Sequence, residues 1–142
     1  METTPHDHDL VAPPVQFPGD AAPQSAFRVA HDLLSRRAPV EALAVLEPAL
    51  AEEPNNTGLR SLRAWAYMLR AQLGPAEDEL TSLVAENPTD VWARHALGRA
   101  LEGQSRHAEA LPHLRLAAAM SGDPEHAAAV RRAEARLAER SG

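Results

Sequence analysis

The residues whose spacing could bear on catalysis are histidines and arginines, and the chain contains no Cys. That absence removes disulfides, thiolate metal sites and cysteine nucleophiles. His95 and Arg99 are spaced one helical turn apart, His31 is expected beside them, and His107 and His113 share a later helix. No carboxylate is placed to orient one of these imidazoles as a base. There is no Gly-rich phosphate loop and no His-x-x-x-His spacing. His6-Asp7-His8-Asp9 has metal-ligand residue types, but two histidines in a polar tail make a weak ligand set. The sequence predicts no catalytic residues, no metal and no cofactor.

The stronger chemical signal is apolar. Gln24, Phe27, Arg28, His31 and Leu34 fall on one helical face; so do Ser61, Leu62, Trp65, Met68 and Leu69. A third such face holds Trp92, His95, Ala96, Arg99 and Glu102. A solvated helix face is normally charged. These faces instead carry both Trp residues of the chain, and Trp, Met and Arg are enriched where a partner is anchored. Phe27, His31, Leu34, Leu62, Trp65, Met68, Leu69, Trp92, His95 and Arg99 are the candidate partner-binding groove. The competing reading is that the aromatics finish the packing between neighbouring helices.

The elements beneath these faces repeat. Ala30, Ala64 and Gly98 are 34 residues apart, as are Leu33, Tyr67 and Leu101. The same interval links Ala42, Ala76 and Ala110, then Leu46, Leu80 and Leu114, then Ala49, Leu83 and Ala117, while Pro54 and Pro88 close the first two units. Columns of small and apolar residues in one register are the mark of a repeat architecture. Each unit reads as two helices. The first opens at Ser25 as N-cap and buries Ala26, Val29, Ala30 and Leu33. Pro39 opens the second, Asn56 the third, Gly74-Pro75 the fourth, Asp90 the fifth and Ser105 the sixth; a seventh runs from Asp123-Pro124-Glu125 to about Glu139. Pro48 and Pro112 fall inside helices, where each costs about 3 kcal/mol. Arg60 and Arg63 stand in columns where repeats one and three mostly have apolar residues (Ala26 and Val29; Leu97), so either their stems snorkel or the third helix is rotated.

The organisation expected is a Pro-rich flexible tail (1–23), three units (24–54, 55–88, 89–122) and a capping helix (123–142). The fold class is all-α, an α-α superhelix of three helix-turn-helix repeats, because a single pair buries too little to stand alone. Within the tail, Leu10 to Pro18 is more apolar than a linker needs and has the composition of a groove ligand. It is a candidate occupant of the chain's own groove or a neighbour's. The net charge of −6 argues against a nucleic-acid partner. No apolar run approaches the roughly 18 residues of a membrane span, and no signal peptide is visible. A cytoplasmic protein is expected, and the lack of Lys and Ile beside abundant Ala, Arg and Pro suggests a high-GC bacterial genome.

The period, the small residue at Ala30, Ala64 and Gly98, the Leu or Tyr three further on and the Ala and Pro columns resemble the tetratricopeptide repeat family. The resemblance covers about residues 23 to 140, and departs where Gly122 stands in the column of Pro54 and Pro88. It implies a non-catalytic scaffold that holds a peptide or helix of another protein. Members that clamp a terminal carboxylate use Lys, Asn, Asn, Lys and Arg where this chain has Phe27, His31, Leu62, Trp92 and Ala96. The expected ligand is therefore apolar: an extended Pro-containing segment or an amphipathic helix. The alternative is a homo-oligomeric assembly module with the tail docked in a groove.

Overall fold

The computed structural model describes residues 10–14 and 21–141. The motif His6 to Asp9 and the stretch from Val15 to Pro18 lie outside them. The helices are α1 (Ala21–Ser35), α2 (Pro39–Glu52), α3 (Thr57–Leu69), α4 (Leu73–Glu86), α5 (Val91–Gly103), α6 (His107–Ser121) and α7 (Pro124–Ser141). Each packs on the next in sequence, and α1 also packs directly on α3. The described residues form an all-α repeat of three helix pairs, with α7 laid against α6. Among them, no helix is long and apolar enough to cross a membrane.

One turn recurs within the pairs. Arg37, Ala71 and Ser105 occupy the left-handed region at φ 60°, 55° and 61°. In each turn the next residue donates its N–H five residues back: Ala38 to the Leu33 carbonyl (2.8 Å), Gln72 to Tyr67 (2.9 Å) and Arg106 to Leu101 (3.0 Å). This six-to-one bond satisfies an otherwise orphaned helix-end carbonyl. It accounts for Leu33, Tyr67 and Leu101 recurring in step with the turn. Ser105 is thus the left-handed residue and not the expected N-cap; that position is Arg106, which makes no side-chain cap bond.

The other expected caps divide. Asn56 accepts from the Leu59 N–H and Asp90 from the Ala93 N–H, each at 3.0 Å. Helix α1 starts at Ala21, so Ser25 lies inside it. Helices α2 and α6 run through Pro48 and Pro112. Both prolines are exposed, and so are Ala44 and Ala108, whose carbonyls lose a partner and can turn to water.

The apolar interior forms two clusters. One joins Phe27, Ala30, Leu34, Leu46, Leu62 and Trp65; the other includes Ala64, Leu80, Leu97, Leu114 and Ala133. Val29, expected inside, is 49% exposed. The buried face of α1 is centred on Phe27, Ala30 and Leu34, because α1 must meet α3 as well as α2. Close approach fixes the small column: a Cβ on Gly98 would stand 2.5 Å from Leu114 Cδ2 and 2.7 Å from its Cγ.

Arg60 and Arg63 follow neither expectation. They form a buried polar clasp between α3 and α4. Arg60 donates to Glu79 (3.0 Å), both oxygens of Glu86 (2.9 and 2.7 Å) and Ser82 (2.8 Å), while Arg63 pairs with the other oxygen of Glu79. Burial disfavours the Arg60 charge, but the hydrogen bonds it donates to Glu86 and Glu79 outweigh it and its pKa is raised.

Candidate peptide-binding groove

The residues nominated from sequence do not share one exposed surface. Phe27, Leu34, Leu62 and Trp65 are buried in the first cluster, and His95 is also buried. His31, Met68, Leu69, Trp92 and Arg99 are half-buried. Phe27 stacks on His31, and the edge of His31 meets Trp65, both with ring centroids 5.8 Å apart. These rings bridge α1 to α3. For Trp65 the competing expectation, packing between neighbouring helices, describes its surroundings.

What remains of the face is built around Trp92, in the first turn of α5. Its indole Nε1 donates a 2.7 Å hydrogen bond to the carbonyl of Val11, 81 residues away in sequence. Leu10 packs against both apolar clusters, Ala12 against the first, and Pro13 is buried. The Val11 side chain points away and is 70% exposed. Leu10 in, Val11 out and Ala12 in is the alternation of an extended strand. The apolar stretch Leu10 to Pro18 is the candidate occupant read from the sequence, and its described part, residues 10–14, lies beside Trp92. The strip is flanked by a cleft of about 470 Å³ with Pro14, Thr89, Trp92 and Asp123 in its walls.

Beneath Leu10, His95 of α5 stacks on His126 of α7, with centroids 4.1 Å apart and planes 23° apart. The His126 ring nitrogen Nδ1 lies 2.7 Å from the Ser121 hydroxyl. His95 Nδ1 is buried without a hydrogen-bond partner. Burial, and then the charges of His126, Arg99 and Arg132, push the His95 pKa down to about 3, with Asp123 opposing. The imidazole is therefore neutral at pH 7 and acts as an apolar-like plate.

This depression fixes a sign. Below pH 6.5 the unfolded chain protonates His95 while the folded chain does not, so stability falls with pH until the folded pKa near 3 is reached. The full slope is about 1.4 kcal/mol per pH unit. Urea midpoints for wild type and His95→Leu between pH 7 and 4 should diverge, with wild type losing more on acidification. Parallel curves would contradict the assignment.

Stacked antiparallel helix pairs sharing a continuous core define a helical-repeat protein, or α-solenoid. Residues 33–101 match the model of the tetratricopeptide repeat family. Among solved structures, the first tetratricopeptide domain of the human RPAP3 protein is similar at a TM-score of 0.77, with 19% identity over 84% of this chain and 95% of that one. MamA of AMB-1 is similar at 0.70, with 20% identity over 82% of this chain and 69% of that one. MamA of MSR-1 is similar at 0.71, with 19% identity over 84% and 71%. At these identities the likeness is one of fold. No curated protein sequence matches the chain. Tetratricopeptide repeats generally serve as protein-interaction scaffolds and are typically non-catalytic.

Proposed function

We propose that this protein is a non-catalytic scaffold whose Trp92 face binds a short extended apolar segment of another protein, and that its own Leu10–Pro14 acts there as an intramolecular ligand. The observation that carries this reading is the Val11 carbonyl on the Trp92 indole, with Leu10 and Ala12 packed to either side. An extended, Pro-containing chain is suited to such a strip, because its backbone loses little freedom on binding. Specificity would lie at the first and third positions, whose side chains face the helices. An amphipathic helix, the other ligand expected from sequence, would not offer a free backbone carbonyl to the indole, since helical carbonyls are already bonded.

The reading predicts competition. A tethered segment has an effective concentration of the order of mM, so a tail with intrinsic Kd of about 100 µM would weaken a rival peptide about tenfold. Leu10→Ser removes the larger anchor, worth about 1.5–3 kcal/mol when fully buried. A fluorescein-labelled peptide of residues 10–15 should then bind Leu10→Ser about tenfold more tightly than wild type, and Trp emission of the variant should shift to the red. Identical binding and identical emission would remove the proposal. The same contacts made by a neighbouring copy's tail would give a homo-oligomer instead; mass measured at two protein concentrations separates the two arrangements.

A further inference from the structure

The strip Leu10–Pro14 changes its pattern at the proline pair. Leu10 and Ala12 are half-buried and Val11 is exposed, as a two-residue alternation requires. Continued, that alternation would turn Pro13 out and Pro14 in. The opposite holds: Pro13 is buried and Pro14 is exposed. A period of three, that of the polyproline II helix, places Leu10 and Pro13 together on the inner side and Val11 and Pro14 together on the outer side. Val11, Ala12 and Pro14 border the cleft of about 470 Å³ beside Trp92, so the outer side is the open one.

Burying position 13 has a consequence for the backbone. An ordinary residue carries an N–H there, and a donor withdrawn from water costs free energy unless an acceptor meets it. Proline has no N–H, so it brings only its apolar ring and its carbonyl into the buried position. Its ring holds its own φ at about −65° and restricts Ala12, the residue before it, to extended conformations. Pro14 restricts Pro13 in the same way. The segment therefore arrives close to its bound shape, with carbonyls that no internal hydrogen bond occupies. The Val11 carbonyl, two residues before Pro13, is the one that accepts from the Trp92 indole at 2.7 Å. The groove thus supplies a donor where the segment offers an acceptor, and the segment withholds a donor where it is buried.

We infer that the groove contains a proline subsite, which selects a tertiary amide at the second residue after the carbonyl that meets Trp92. This rests on the groove reading and sharpens it. The partner segment is an apolar residue, a position open to water, a second apolar residue and then proline, in that order. Proline at the Pro14 position is helpful only through its neighbour's conformation, because Pro14 is exposed.

The test uses the full chain carrying Leu10→Ser, whose own strip has lost its larger anchor, and labelled peptides based on Leu-Val-Ala-Pro-Pro-Val. Valine in place of the first proline keeps an apolar side chain of similar size but restores the N–H, and should weaken binding about tenfold. N-methylalanine at the same place is smaller than proline yet again lacks the N–H, and should recover most of that loss. Alanine in place of the second proline should cost only about twofold, the effect of a less restricted free peptide. In the otherwise unchanged full chain, Pro13→Val should loosen the strip and let the original peptide bind several-fold more tightly. Equal binding of the valine and proline peptides would overturn the subsite and leave the groove standing. N-methylalanine binding no better than valine would also overturn it, because ring packing and not the missing donor would then set the preference. Binding of none of the peptides would overturn the groove and the subsite together.

Discussion

Replacing Arg60 by Met should lower the stability of the chain by about 3 kcal/mol, the low end for breaking a buried ion pair from one side. The side chains of Arg60 and Glu79 are only 8% and 10% exposed. Removing the guanidinium leaves the Glu79 carboxylate inside with one cation in place of two. The cost stays at the low end because Glu79 keeps Arg63 and because Glu86, 48% exposed, can turn to water. The measurement is a urea melt: the midpoint should fall at unchanged slope. The double variant Arg60→Met with Glu79→Leu should lose less than the two single losses added together, since residues in one network couple. Strict additivity would mean that the clasp carries no shared energy and that Arg60 matters only through the packing of its stem.

That clasp marks the boundary of what the sequence made legible. The helix pairs and their order followed from the 34-residue columns, because small and apolar residues recur wherever one hairpin stacks on the next. Arg60 and Arg63 broke those columns, and both explanations offered for them assumed that a charge must reach water. The alternative was invisible without tertiary structure: their partners, Glu79 and Glu86, are 19 and 26 residues away from Arg60 and sit on another helix. Part of the candidate groove is buried for a related reason. The helical pattern by itself places Phe27, Leu34 and Leu62 on an open side of their helices. In a solenoid such a helix meets its own partner and its neighbours, so Phe27, Leu34 and Leu62 are covered from directions that a single-helix pattern does not contain. Trp92 escaped because it stands at the start of α5, where the covering element is the strip Leu10–Pro14. The apolar excess of that strip was readable; its hydrogen bond to Trp92 was not.

The two tryptophans should therefore part company. Trp65 is 6% exposed, within a cluster that includes Phe27 and Leu62 and edge-on to His31. Trp65→Ala should cost about 3–5 kcal/mol, as for other buried aromatic truncations. That is a large share of the roughly 5–15 kcal/mol that holds a domain together. Lost peptide binding in this variant would thus report lost fold, and it is a poor probe of the groove. Trp92 supplies the better one. Trp92→Phe keeps a ring over the strip and deletes only the N–H that meets the Val11 carbonyl, worth about 1 kcal/mol net, or about fivefold in affinity. In the Leu10→Ser background, Trp92→Phe should weaken the labelled peptide by that factor with a urea midpoint close to its parent's, whereas Trp65→Ala should shift the midpoint far more than it changes affinity per folded molecule. The reverse pattern, an undisturbed melt in Trp65→Ala with the peptide lost, would move the binding surface onto α3. Trp92 would then be an incidental neighbour of the strip, because a sealed core indole cannot be removed without a stability cost.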